Sequence, residues 1–313
     1  MSQRPVISIV TPCYNEEENV GELYRQVKAV FNSLPAYDYE HIFIDNASRD
    51  RTVQVLEEIS QADRNVKIIV NNRNFGPVRS PFYGLLQANG NAVILLVADL
   101  QDPPEMIRSF VENWENGAKV VMGVKTSSEE SRLMFAVRKL YYNIVTLVSE
   151  IELTKNYTGF GLYDQVVIEH LRKLSDPYPY FRGLISYLGF ETAKIVYRQP
   201  VRKKGVTKYN FYALYDTAML GLVSHSKAPL RVLAMLGFSM AILSFMLAVF
   251  HILLKIFFWK EIPVGFSSII TAIFFFSSVQ LFFIGILGEY ILSIHAHILK
   301  RPLVIEKKRI NFS

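Results

Sequence analysis

Three short polar segments carry the side chains of this chain that can do chemistry. Thr11, Pro12, Cys13, Tyr14, Asn15 and Glu16 form the first; Asp45, Asn46, Ala47, Ser48, Arg49 and Asp50 form the second; Ala98 through Glu105, reading ADLQDPPE, form the third. Each follows an apolar, β-rich run, and the carboxyl ends of strands are where open α/β sheets bind ligands. Asp99 and Gln101, spaced i and i+2, can point the same way from an extended strand end and offer hard oxygen atoms to one divalent cation, Mg2+ or Mn2+. Asp102 has two readings. It is a further contact to that ion, or a helix cap, because Asp102, Pro103, Pro104 and Glu105 spell an N-cap, an N1 proline and a capping box. Ser48 and Asp50 likewise read as caps for a helix over 52–59.

The elements that must position these loops follow from the hydrophobic pattern. Apolar β-rich runs at Val6 to Thr11, His41 to Asp45, Val66 to Val70, Ala92 to Val97 and Val120 to Val124 alternate with helix-length segments, which predicts an α/β head with a mainly parallel sheet. Helices are expected over 132–150 and 164–174, a strand over 191–197 and an amphipathic stretch over 211–226. No internal repeat and no low-complexity tract interrupts the pattern.

The rest of the chain is a different material. A mean hydropathy of +0.20 is high for an ordinary soluble protein, whereas 20% charged residues is too many for a many-span transporter. The excess sits near the C-terminus: 232–258 and 266–294 are each long enough for a bilayer core of about 30 Å at about 1.5 Å per residue. The connection from Trp259 to Gly265 admits only a tight turn, so a two-helix transmembrane hairpin is expected over 229–298, between a head of residues 1–228 and a basic tail of residues 299–313. Lys300, Arg301, Lys307, Lys308 and Arg309 put both ends of the hairpin, the head and both termini in the cytoplasm, at a multi-pass inner-membrane location. No cleavable signal is expected ahead of the first strand, and lone Cys13 fits a reducing compartment. The net charge of +6 is expected to serve anionic headgroups; no aromatic-interleaved basic patch marks the head for nucleic acid.

With these motifs in view, the chain resembles the polyisoprenyl-phosphate glycosyltransferases of glycosyltransferase family two, such as bactoprenol glucosyltransferase and dolichol-phosphate mannose synthase. The likeness rests on the three loops, on Arg73 to Gly76, Thr158 to Asp164, Phe181 to Gly183 and Gly205 to Tyr209, and on the apolar C-terminal region ending Gly288, Glu289, Tyr290. It implies an A-type glycosyltransferase head, a nucleotide-sugar donor and a polyprenyl-phosphate acceptor. Pro12, Tyr14 and Glu16 are then expected to hold the nucleoside, Asp45 to accept from the base, and Asp99 with Gln101 to clamp the metal beside the diphosphate. Arg138, Arg202 and Lys208 are expected to engage the lipid phosphate; a solvated or lipid-facing charge is the alternative for each.

Two positions depart from the relatives' pattern. Val97 stands where they carry an acid two places before Asp99, and Pro77, Val78, Arg79 stand where many carry a Lys-Glu pair. Arg79 either faces the diphosphate or makes a surface salt bridge. Tyr178, Tyr180 and Phe181 either line the substrate path or pack in the core. Together these residues lead to an expected inverting transfer of a sugar, with glucose from UDP-glucose foremost, to undecaprenyl phosphate for cell-surface glycan modification. N-acetylglucosamine, galactose or mannose are alternatives, as is a catalytically weak polyprenyl-phosphate binding or scaffold protein. A processive synthase is disfavoured because neither Trp114 nor Trp259 follows an arginine. Gly285 and Gly288 allow the anchor to pack against neighbouring copies as a homo-oligomer.

Overall fold

The computed structural model of the chain describes residues 4–126, 154, 156–174, 176–200, 235–240, 242, 243, 246, 250, 266–299 and 301–312. Among them, β1 (Val6–Cys13), β2 (Asp38–Asp45), β3 (Val66–Asn71), β4 (Ala92–Leu95), β5 (Val120–Lys125), β6 (Tyr157–Asp164), β7 (Thr192–Tyr197) and β8 (Glu306–Ile310) make one sheet. Its spatial order is β7-β5-β6-β4-β1-β2-β3-β8. The β1–β2, β1–β4, β2–β3 and β5–β7 ladders are parallel, while β6 and β8 run against their neighbours.

The central parallel strands β1 to β4 are largely apolar on both faces because both faces are covered. Ile7, Ile9 and Phe43 pack with Leu23 and Val27 of α1 (Val20–Asn32), Leu56 of α2 (Thr52–Ala62) and Phe110 of α4 (Met106–Glu115). Val10, Ile42 and Ile44 point the other way, onto Phe82 and Leu85 of α3 (Gly76–Leu86), Ile168 of α5 (Gln165–Lys173) and Leu184 of α6 (Phe181–Leu188). Each fully buried side chain of this size contributes about 1.5–3 kcal/mol, and the alternation fixes strand register, since a one-residue slip would exchange the two faces.

Three elements depart from the sequence expectation. β6 was hidden because Gly159 and Gly161 lower the strand signal of Tyr157 to Asp164. Gly161 is required there, since a Cβ would lie 2.3 Å from the Val121 carbonyl oxygen. The short α6 also escaped the pattern. The residues expected as a free basic tail instead form β8 on the β3 edge, with Asn72 N–H donating to the Ile305 carbonyl at 2.8 Å. Side chains hold it: Tyr83 donates to Glu306 at 2.7 Å, Lys308 pairs with Glu57 at 2.8 Å, and Asn311 Nδ2 donates to the Ser60 and Val66 carbonyls. A charged strand of this kind also closes a sheet edge against unwanted pairing.

Of the two expected spans, the second is the helix α7 (Phe266–Ile298), whose Phe275–Leu292 stretch has a mean hydropathy of 1.6 and suffices in length and composition to cross a membrane. Residues 235–240, 242, 243, 246 and 250 of the first are helical; the remainder of it, and the segments expected as helical over 132–150 and 211–226, lie outside the described residues.

Candidate functional site

The loops after β1 and β2 are sewn together by backbone donors. Asn15 N–H donates to Ser48 Oγ at 2.8 Å and Arg49 N–H returns the bond to Asn15 Oδ1 at 2.7 Å. Glu16 N–H donates to Thr52 Oγ1 and Arg51 N–H to Glu17 Oε2, each at 2.8 Å. Neither expected cap is the N-cap of α2, which is Arg51 and carries no side-chain cap bond: Asp50, one residue earlier, accepts from Thr52 N–H at 3.0 Å, and Ser48 turns to Asp45. Asp45 is fully buried and accepts from both the Ser48 N–H, at 2.9 Å, and the Ser48 hydroxyl. Burial pushes its carboxyl above the usual range despite these bonds. Pro12, Tyr14 and Glu16 are half-buried beside it, with Glu16 Oε2 accepting from Asn19 Nδ2 at 2.6 Å.

Asn46 ties in the loop after β3. Its Nδ2 donates to Asn74 Oδ1 at 3.0 Å and to the Gly76 carbonyl at 3.2 Å; its Oδ1 accepts from Phe75 N–H at 2.9 Å and Asn71 Nδ2 at 3.2 Å. The start of α3 is thereby locked to the β2 loop. Arg79, one turn into α3, donates from Nε to the Pro177 carbonyl at 3.0 Å and stacks its guanidinium 4.0 Å from the Tyr178 ring centre. It thereby joins α3 to the loop before α6, and among the described residues it makes no salt bridge.

The loop after β4 holds the candidate metal ligands. β4 ends at Leu95, so Asp99 and Gln101 sit in a turn and not on an extended strand end. Leu100 between them has φ +57°, and Gln101 N–H donates to Asp99 Oδ1 at 3.2 Å. Asn15 and Ala47 are also left-handed, so each of the three loops stores one strained non-glycine residue. Asp102 does not cap α4, which begins at Met106 without a side-chain cap. It is 4% exposed and accepts a 2.5 Å bond from the Tyr197 hydroxyl, burial pushing its carboxyl up. Burial also lowers the Lys125 ammonium, against the pull of Asp102 and Asp99. Lys125 and Tyr197, polar ends of β5 and β7, were not singled out in the sequence; their signal was their place at the carboxyl end of an apolar run.

The donor set for a metal is small. Among the described residues, no three His, Cys, Asp or Glu side chains converge, and Val97 is 37% exposed where a further acid would stand. The Asp99 carboxylate and the Gln101 amide carbonyl are hard oxygens suited to Mg2+ or Mn2+ when donor phosphates and water complete the shell, a common arrangement for Mg2+. Arg138, Arg202 and Lys208 lie outside the described residues.

Comparison with known proteins accords with this geometry. Residues 8–172 match the model of glycosyl transferase family 2. The chain is 33% identical over 303 residues to the SfII prophage-derived bactoprenol glucosyl transferase of Shigella flexneri, covering 96% of this chain and 97% of that one. It is 34% identical over 309 residues to the glycosyltransferase YkcC of Bacillus subtilis, covering 98% and 95%. Among solved structures, mannosyl-3-phosphoglycerate synthase from Rubrobacter xylanophilus superposes over 74% of this chain and 75% of its own with a TM-score of 0.49 and 17% identity. The head is the expected A-type α/β fold with a mainly parallel sheet, and the chain belongs to glycosyl transferase family 2.

Proposed function

We propose that the protein transfers glucose from UDP-glucose to undecaprenyl phosphate, with inversion, at the cytoplasmic face of a membrane. The observation that carries this reading is the 33% identity, over nearly both full chains, to a protein named for bactoprenol glucosyl transfer. The loops after β1, β2 and β4, at the carboxyl edge of the sheet, support a donor site in this reading.

The acceptor sets the chemistry. A phosphate monoester has a second pKa near 6, so its oxygen is already anionic at neutral pH and no general base is required. That oxygen attacks the anomeric carbon opposite the leaving group; the new C1–O bond forms as the bond from C1 to the UDP oxygen breaks, and UDP departs with the electron pair. In this scheme Pro12, Tyr14 and Glu16 hold the nucleoside, and the Asp45 carboxylate accepts from the base. Asp99 and Gln101 would hold a divalent ion, which offsets the charge growing on the diphosphate. Arg138, Arg202 and Lys208 receive the lipid phosphate, as cations must when two phosphate groups are brought together.

The membrane arrangement in this reading is a two-span hairpin. β8 pairs with β3, so the chain on either side of the apolar region belongs to the head. If α7 is one crossing, a second crossing between Pro200 and Phe266 returns the chain to the same face, in keeping with the apolar 232–258 stretch.

The test is transfer of label from UDP-glucose to undecaprenyl phosphate by the purified chain in detergent, run beside a panel of other nucleotide sugars. Glucolipid formation is expected, and Asp99→Ala is expected to abolish it while the protein still inserts into membranes. Absence of transfer from every donor overturns the reading. UDP binding that needs no metal and leads to no turnover would favour a lipid-carrier scaffold, the reading that exposed Val97 invites.

A further inference from the structure

We propose that Thr158 is a specificity residue whose hydroxyl hydrogen-bonds the sugar being transferred, an inference that rests on the donor-site reading above. Strand order supplies the first argument. At the cleft edge β2, β1, β4 and β6 lie side by side, with Cys13 opposite Asp45 and Gly161 opposite Leu95. Strands sit about 4.8 Å apart. A nucleotide bound over the β1 and β2 loops, with its diphosphate at the Asp99 turn after β4, has its hexose over the next strand, β6.

Burial supplies the second. Along β6, Thr158 is the one exposed residue, at the end of the strand that opens on the cleft. Its hydroxyl makes no hydrogen bond to another described residue.

Rigidity supplies the third. On one side, the Tyr157 carbonyl accepts from Arg182 Nη1 at 3.3 Å; on the other, the Gly159 carbonyl accepts from the Tyr163 hydroxyl at 2.5 Å. Tyr163 is in turn bonded to the Tyr157 hydroxyl, and both rings are at most 1% exposed. Gly159 has φ +106°, and a Cβ there would lie 3.3 Å from Leu95 Cδ2, so this position in β6 admits glycine alone without strain. Thr158 is therefore a β-branched side chain with few rotamers, mounted on a peptide fixed from both sides. A hydroxyl positioned that firmly can distinguish sugars by where their own hydroxyls stand.

The test uses the full chain in detergent with undecaprenyl phosphate, comparing Thr158→Val and Thr158→Ser with the parent for kcat/KM on UDP-glucose, UDP-galactose and UDP-N-acetylglucosamine, and for inhibition by UDP. Thr158→Val is expected to narrow the preference between the best and second-best donor by about tenfold, with UDP inhibition changed less than twofold and the preference restored in Thr158→Ser. Equal losses on every donor, an unchanged preference, or weakened UDP inhibition would overturn the assignment while leaving the donor-site reading intact. A parent protein that uses none of the donors sinks both.

Discussion

Tyr197, the last residue of β7, donates a 2.5 Å hydrogen bond to Oδ1 of Asp102, which directly follows the candidate metal ligand Gln101. The bond links a loop on the donor side to the strand that leads into the basic segment around Arg202. With Asp102 almost fully buried, the hydroxyl is what compensates its loss of water. Tyr197→Phe leaves the carboxylate without that donor and frees the Asp99–Gln101 turn to shift. We expect kcat to fall about tenfold with the donor KM within about threefold, and stability to drop by about 1–3 kcal/mol. Steady-state kinetics and thermal melting on the same preparation check both parts; unchanged kcat would mean that the bond only braces the fold.

Asn46 makes the corresponding brace on the other side of the cleft. Its side chain satisfies Phe75 N–H, which lies ahead of the helix, and reaches the carbonyl of Gly76, the first residue of α3. Asn46→Ala is expected to raise the donor KM about tenfold and cost about 1–3 kcal/mol, because at least one backbone group loses its partner. Titration with UDP by calorimetry checks the first effect without depending on turnover.

How far the sequence reached depended on where each signal resides. β1 to β5 are continuous apolar runs because helices cover both faces of the sheet, so composition alone exposed them, and the loops after β1, β2 and β4 were then locatable as a cleft. β8 was illegible because Glu306, Lys307, Lys308 and Arg309 have no strand periodicity of their own; their pairing is dictated by the open β3 edge and by Glu57, Tyr83 and Gln87 far away in sequence. Asp102 was ambiguous for the same reason. Its local sequence spells a cap, and only Tyr197, 95 residues later, decides against it. Local codes were readable; partners supplied by tertiary structure were not.

His41 gives the head an acid-sensitive core. It is fully buried on β2, its ring stacks 4.0 Å from Phe43, its Nε2 lies 2.9 Å from Thr11 Oγ1, and its Nδ1 has no partner. Burial, opposed only by the field of Asp63, lowers its pKa from 6.5 to about 3. Between those values the unfolded chain binds a proton that the folded chain refuses, so stability falls as pH drops below 6.5. From pH 7 to pH 5 this single group removes about 2 kcal/mol. Denaturant melts across that range are expected to show the loss in the parent and a flatter profile in His41→Gln, which cannot titrate; parallel profiles would sink the assignment.

The C-terminal strand should matter more to the membrane acceptor than to the donor. Ile298 ends α7 and Glu306 begins β8, a separation that an extended chain spans in at most about 28 Å. Ile305 is hydrogen-bonded to Asn72, at the start of the loop that Asn46 braces. The end of the apolar helix is thus held on a short leash to the rim of the donor site. Deleting residues 300–313 removes that leash and opens the β3 edge, yet leaves the β1, β2 and β4 loops with all their own bonds. UDP affinity is therefore expected to change less than threefold, while transfer to undecaprenyl phosphate in vesicles falls at least tenfold. A short-chain, water-soluble polyprenyl phosphate, which can reach the cleft by diffusion, should recover most of the lost rate. If the truncated protein lost UDP binding as well, β8 would be serving the stability of the sheet and not the alignment of cleft and bilayer.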